Sequence, residues 1–321
     1  MRGFLFLVVM VVGTGLGRAA PSAPAEVKTL KVTVLSTMLA EKGLGEWGFA
    51  ALVEADGWRI LFDTGAHADV VLKNAAVLQM DLTTVPEVIL SHSHWDHVGG
   101  LMTLRDSVKG RNPAALGTVH GAEGLFYRRV GGGPPILENP LLLTRPAFEA
   151  SGGVFKIHAQ PIELHPGVWF SGPVPRPHPE RNWSGSGRLV DPTGAVIEDI
   201  QPEDAALYLN TAKGLVVITG CGHAGVVNLI EHARTVVRPV PVQALIGGIH
   251  LFNASEQTLA WTAGKLREFR VEHFIGAHCT GLETVYRFRS DLGLDRARVV
   301  VGATGAVFEL GHGINPGVLA K

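Results

Sequence analysis

The sequence predicts an α/β fold with a largely parallel sheet in its C-terminal third. Three observations carry this. Apolar runs of strand length alternate with helix-spaced segments from residue 214 onward, which implies right-handed crossovers between parallel strands. Near the N-terminus, Asp56-Gly57 sits between two apolar runs and signals a hairpin. Histidines fall just beyond the carboxyl ends of strand-like runs, the edge on which open α/β sheets bind ligands. The 321 residues are 46% hydrophobic and 18% charged, enough for one large domain or two smaller ones. Net charge is −1 and no run of Lys/Arg stands out, so neither nucleic acid nor an anionic membrane surface is expected as a partner.

The chain opens on a segment unlike the rest. Met1-Arg2 carries a positive charge, Phe4 to Val12 is apolar, and Ala23-Pro24-Ala25 has the small-x-small form of a cleavage site. Residues 1–25 read as a secretory signal peptide, since the apolar run falls short of the roughly 20 residues a membrane span needs. No cysteine follows the leader, which argues against a lipoprotein. The expectation is an exported protein, periplasmic or secreted, with no stable membrane insertion after cleavage and a folded domain at 26–321.

In that domain, Thr29–Ser36 reads as a first strand, and Phe49–Ala55 and Trp58–Asp63 as the hairpin strands. Val70–Leu78 has helical spacing and leads through Asp81 to the strand Val88–Leu90; Val98–Arg105 reads as the next helix. Residues 107–200 are rich in glycine and proline, notably at Gly131–Pro135, Pro173–Pro179 and Ser184–Gly187. Short strands fit at Val154–Ala159 and Gly167–Gly172, but this proline density argues against central strands. The segment reads as a loop-rich insertion over the site, packed through Trp169, Phe170 and Trp183. Beyond it, Gly214–Thr219, Val242–Ile246 and His273–Gly276 read as strands, and Val226–Val237 and Leu282–Leu292 as helices. Asn253 with Glu256 resembles a capping box for a further helix ending near Phe269. Val299–Val301 and Ala306–Leu310 read as closing strands.

The chemistry concentrates in Ser91-His92-Ser93-His94-Trp95-Asp96-His97-Val98-Gly99-Gly100. His92, His94 and Asp96 share parity, so an extended chain sends all three to one side. His97 breaks parity, and Gly99-Gly100 permits a tight turn there. Imidazoles with a carboxylate suit zinc, iron or manganese better than calcium or magnesium. His223, His250 and His278 each follow a strand-like run of the C-terminal third, which brings six histidines to one sheet edge. His67, His158, His165, His232, His273 and His312 fall in helices, turns or strand bodies and read as surface or satisfied core residues. His120 and His178 lie in the insertion and are candidates to reach the pocket. The two cysteines, Cys221 and Cys279, each neighbour a histidine of the edge. A disulfide, metal ligation and inert packing all fit them.

Asp63-Thr64-Gly65, the His92-x-His94-x-Asp96-His97 run and the later strand-end histidines resemble the metallo-β-lactamase superfamily, from about Thr29 to Leu310. Asn74-Ala75, the run from Gly220-Cys221-Gly222-His223-Ala224-Gly225 to Asn228, Gly247-Gly248-Ile249-His250-Leu251 and His278-Cys279-Thr280-Gly281 resemble its 7,8-dihydropterin-6-methyl-4-(β-D-ribofuranosyl)aminobenzene-5′-phosphate synthase-like branch. The resemblance implies an αββα four-layer sandwich. It implies His92 and His94 as ligands of one metal, with His223 as the best third, and Asp96, His97 and His278 as ligands of a second. Asp63 would orient the histidine loop by hydrogen bonding, and His250 would be an alternate ligand or a contact of the ligands or substrate. The chain departs from the pattern at Cys221, where most of the superfamily places a bridging aspartate; a Cys221 thiolate or His223 would take that position.

The implied cofactor is one or two divalent metal ions, zinc first and iron or manganese as alternatives. The implied activity is that of a metal-dependent hydrolase acting on a small-molecule ester, lactone, thioester or phosphoester-type substrate through hydroxide on the metal, with Asp96 holding the nucleophile and passing its proton on. No Gly-x-Ser-x-Gly elbow is present to suggest a serine nucleophile. Two alternatives stand beside it: a synthase- or lyase-type activity like that of the branch namesake, and a non-catalytic metal-binding protein of the envelope. Arg176, in a Pro-Arg step that resembles one in the branch, and Arg181 are candidate anion contacts in the insertion.

Overall fold

The computed structural model describes residues 24–130, 139–182 and 187–320. Most of the expected leader, the Gly131–Pro135 run and Trp183 lie outside the described residues. Two large sheets carry the fold. The first holds eight strands in the spatial order Gly313–Asn315, Val307–Glu309, Leu30–Ser36, Ala50–Ala55, Trp58–Phe62, Glu87–Ile89, Thr118–Ala122 and Val154–His158. The second holds seven: Val299–Val301, His273–Gly276, Val242–Gly247, Gly214–Thr219, Ala206–Thr211, Val168–Phe170 and Ile162–His165. The hairpin forms where Asp56-Gly57 predicts it, with φ of 47° and 87° at the two turn residues, the pairing a tight primed turn requires.

Alternation along the strands builds the layers. Ala51, Val53, Ile60 and Phe62 of the first sheet meet Val216, Ile218, Ala244 and Ile246 of the second in a central core. The opposite residues, Ala50, Leu52 and Leu61, face the helices Val70–Val77, Leu101–Lys109 and Pro140–Ala150. Likewise Leu215, Val217 and Leu245 face the helices Val226–Val236, Glu256–Glu268 and Leu282–Asp291. Both faces of each sheet are therefore covered, which is why the central strands read as continuous apolar runs. The result is an αββα sandwich with three hydrophobic seams.

Several expectations change in detail. Residues 107–200 are not an insertion throughout. Thr118–Ala122 pairs in parallel between Glu87–Ile89 and Val154–His158, and Ile162–His165 and Val168–Phe170 extend the second sheet. The densest proline run, Pro173–Pro179, lies beyond these strands, and Pro161 and Pro166 flank Ile162–His165 without interrupting it. The helix expected at Val98–Arg105 is two helices, Trp95–Val98 and Leu101–Lys109, divided at Gly99-Gly100. A Cβ on Gly99 would lie 1.9 Å from the Ala66 carbonyl oxygen, and one on Gly100 2.3 Å from that of Thr64. The cap of Glu256–Glu268 is Ser255, whose Oγ accepts from Thr258 N at 3.2 Å, rather than Asn253. The strand Ala206–Thr211, unanticipated, pairs antiparallel with Gly214–Thr219.

Candidate metal centre

Register explains why the strand-end residues meet. In the second sheet Thr219, Gly247 and Gly276 are aligned neighbours, so the segments carrying Cys221 and His223, His250, and His278 leave the sheet at one level. In the first sheet Phe62 is aligned with Ile89, so Asp63 and the histidine loop leave together. Gly220 lets the two edges close: a Cβ there would lie 2.1 Å from Ser91 Oγ and 2.6 Å from Asp63 Oδ2.

Asp63 is fully buried and holds a left-handed φ of 57°. Its Oδ1 accepts from Ser91 N at 2.7 Å, and its Oδ2 from Ser91 Oγ and from His97 Nδ1, each at 2.7 Å. Ser91 Oγ, having given its proton to Asp63, accepts from His92 Nδ1 at 3.0 Å. His223 Nδ1 donates to the Asn182 carbonyl at 2.6 Å. These three bonds direct the Nε2 atoms of His92, His97 and His223 inward as lone-pair donors.

The inward nitrogens fit a metal and little else. His92 Nε2, His223 Nε2 and His278 Nδ1 are buried with no hydrogen-bond partner among the described residues, and His278 Nε2 lies 3.1 Å from Asp96 Oδ2. Orphaned buried imidazole nitrogens are costly unless something binds them. Ligand atoms of Asp96, His97, Cys221 and His278 lie within 4.8 Å of one another, as do those of His92, Cys221 and His223, and those of His92, His94 and Asp96. Burial drives His92 and His223 well below the usual imidazole range, and burial with Arg129 brings His94 down to about 4, so all three are neutral, as ligation demands. Against its own burial, His97 is pushed up to about 9 by Asp96 and Asp63. Burial also works to raise Asp96, but His97 and His278 hold its carboxyl well below the carboxylate range. The field at this point favours a cation.

The metallo-beta-lactamase superfamily model matches residues 48–232, more than half of the chain. The chain belongs to the metallo-β-lactamase superfamily. It is similar to 7,8-dihydropterin-6-methyl-4-(beta-D-ribofuranosyl)-aminobenzene-5′-phosphate synthase of Methanocaldococcus jannaschii, 28% identical over 261 residues, or 79% of this chain and 87% of that one. Among solved structures it is similar to Tm1679, described as a metal-dependent hydrolase of the beta-lactamase superfamily, with a TM-score of 0.71 at 25% identity over 87% of this chain and 98% of that one. Zn(2+)-bound PqqB from Methylobacterium extorquens shares the fold at a TM-score of 0.52 and 15% identity, over 86% of this chain and 99% of that one.

Within this metallo-β-lactamase centre the structure brings together His92, His94, Asp96, His97, His223, His278 and Cys221. His250 stands at its rim, its ring 4.6 Å from that of His223, and groups with Cys221 and Cys279. The two thiols are free, 3.3 Å apart and buried. Three candidates, His120, His178 and Arg176, are placed elsewhere. His120 points between the sheets, where Nδ1 is 3.0 Å from His158 Nε2 and Nε2 is 3.4 Å from Glu87; the parallel pairing of its strand fixes it there. His178 faces Glu231 at 2.9 Å. Arg176, expected as an anion contact, donates through Nη1 to the His223 carbonyl and through Nη2 to that of Gln201, both at 2.8 Å, and so braces the ligand loop. Arg181, by contrast, lines the cavity described below and pairs with Glu198.

Sequence reasoning missed the supports behind the metallo-β-lactamase loop. Glu203 Oε1 accepts from Ser93 Oγ at 2.8 Å and from Arg129 Nη2 at 2.7 Å, and Arg129 also pairs with Asp199. Thr37 Oγ1 accepts from His278 N at 3.0 Å. The legible signal was Glu203-Asp204 directly before an apolar run, because acids drawn into a core need partners. In front of the centre lies a cavity of about 710 Å³, lined by Glu180, Asn182, His250, Phe252, Gln257 and Trp261 among others. Trp47 packs between the two, its ring 4.9 Å from that of His278 and 5.7 Å from that of Phe252.

Proposed function

We propose that the chain is a metal-dependent hydrolase of a small ester, lactone, thioester or phosphoester-type molecule. The observation that carries this reading is the convergence of orphaned Nε2 atoms from both sheets beside a roomy cavity. His92, His94 and His223 would hold one divalent ion, and Asp96, His97 and His278 a second, with Cys221 between them. A zinc, iron or manganese ion held there supplies Lewis acidity and lowers the pKa of water to about 7.

The chain's own residues do the rest. Asp96 is ionised at neutral pH and slightly exposed at 6%, so its carboxylate can hold the nucleophile and take its proton. Asp63, Ser91 and the Asn182 carbonyl hold the imidazoles in the ligating tautomer. Phe252 and Trp261 offer apolar walls, and Asn182 and Gln257 offer amides, a lining suited to a small molecule. A cavity reaching His250 favours catalysis over storage, since a storage or structural site is closed by its ligands. A synthase-type activity is the second reading, favoured by the similarity to the dihydropterin synthase over 87% of that protein.

Export belongs to the same proposal. The leader pattern supports it, and Val27, just past the expected cleavage point, is buried and bridges to Thr211. A mature N-terminus near Glu26 in protein recovered outside the cytoplasm is the expected result, and an intact Met1 on cytoplasmic protein would overturn it. For the activity, protein purified without added metal is analysed for zinc, iron and manganese and assayed on ester, lactone and phosphodiester substrates. Stoichiometric metal and chelator-sensitive hydrolysis are expected. Full activity in rigorously metal-free protein, or bound metal with no turnover on any of these classes, counts against the hydrolase reading.

A further inference from the structure

We propose that Cys221, Cys279 and His250 form a separate soft-metal site, taking a thiophilic cation such as cadmium, zinc or copper(I), that shares Cys221 with the histidine–aspartate centre. The proposal does not depend on hydrolysis. It rests first on geometry. The two sulfurs are 3.3 Å apart, and these atoms together with a His250 nitrogen all lie within 4.8 Å of one another. The spacing is too long for a disulfide bond of about 2.05 Å. It is close to what two thiolates at about 2.3 Å from one cation require, after a small opening of the pair.

The site is built rather than incidental. Its three donors come from three neighbouring strand ends held level by register: Thr219 beside Gly247 beside Gly276. Gly248 is the residue that lets them meet. A Cβ on it would lie 2.2 Å from the Gly220 carbonyl oxygen and 2.9 Å from Cys279 Sγ, so any other side chain would occupy the space into which the thiol points. His250 holds a left-handed φ of 49°, a conformation that a residue with a Cβ adopts only when its surroundings enforce it. Its Nδ1 is buried without a hydrogen-bond partner among the described residues. His250 also lines the 710 Å³ cavity, which gives a cation a way in.

Donor chemistry separates this site from its neighbour. Two sulfurs and an imidazole select soft cations, whereas the imidazoles and carboxylate of the main centre accept zinc, iron or manganese. Binding replaces two S–H bonds with two sulfur–metal bonds, and both protons go to solvent. No oxidant is involved.

The test uses the reduced full-length protein, stripped of metal by chelator and titrated with cadmium. Thiolate-to-cadmium charge-transfer absorption and bound cadmium are read together. The wild type should show the band of two thiolates. Cys279→Ser should reduce the band to that of a single thiolate and bind one cadmium fewer, while His94→Ala, which alters only the main centre, should leave it intact. Cadmium NMR on the wild type gives a measurement that needs no variant: one resonance in the range of two sulfur donors is expected. The proposal is overturned if Cys279→Ser keeps the full band and stoichiometry, if His94→Ala abolishes the band, or if no wild-type resonance reports two sulfurs.

Discussion

Asp63 Oδ2 accepts the Nδ1 proton of His97 at 2.7 Å, and in doing so turns His97 Nε2 toward Cys221 Sγ, 3.1 Å away. One buried carboxylate thus sets both the tautomer and the aim of a ligand it cannot itself replace. Asp63→Asn keeps the shape but presents an amide where the imidazole needs an acceptor. Metal affinity should fall roughly 10- to 100-fold, the usual effect of removing such a support. Competition with a chromophoric chelator measures it; unchanged affinity would show that packing alone orients His97.

Arg176 braces the ligand loop. With both terminal nitrogens on the carbonyls of His223 and Gln201, Arg176→Ala should destabilise the fold by about 1.5–3 kcal/mol, the range for a hydrogen bond to a charged group. Denaturant unfolding measures this. Kinetics on anionic and neutral substrates should change in parallel. Selective weakening of anionic substrates would restore the role in anion recognition.

The strand ends were legible because periodicity and turn chemistry are local. Asp56-Gly57 and the apolar runs at Gly214–Thr219 and His273–Gly276 appear where the sequence puts them. The histidines at those ends followed directly. What the sequence hid was non-local. His120 and His223 look alike in the chain, but His120 sits within a strand whose partners turn it between the sheets. Arg176 reads as a surface charge until its carbonyl partners are known. The Arg129–Glu203–Ser93 support joins residues up to 110 apart in sequence, and no spacing rule reaches that far. Even the prolines misled only by position, since Pro161 and Pro166 stand at the ends of Ile162–His165 rather than inside it.

Asp204 makes stability depend on pH. Burial pushes its carboxyl up to about 7 from an ordinary 3.8, although Oδ2 accepts from Ala224 N at 2.8 Å; Oδ1 has no partner among the described residues. The folded state therefore holds this proton more tightly than the unfolded one. The contribution is fully present below 3.8, declines as pH rises toward 7 and is flat above it. Asp204→Asn keeps an acceptor without the ionisation, so its unfolding free energy should decline less across that window. Identical slopes for variant and wild type would mean that Asp204 ionises as readily in the fold as outside it.

Cys221 converges with donors of both halves of the centre, with His97 and His278 on one side and with His92 and His223 on the other. Each group of converging ligand atoms that contains His97 and His278 also contains Cys221, whereas His92 and His94 converge with Asp96 without it. A serine hydroxyl stays protonated at neutral pH and does not replace a thiolate as an anionic ligand. Cys221→Ser should therefore lower occupancy on the Asp96–His97–His278 side more than on the His92–His94–His223 side, taking the stoichiometry from two ions toward one. Metal analysis after dialysis against graded chelator resolves the two losses. If both ions leave together, Cys221 bridges them as a shared ligand. If neither leaves, its sulfur ligates nothing in this centre and serves the Cys279 side alone.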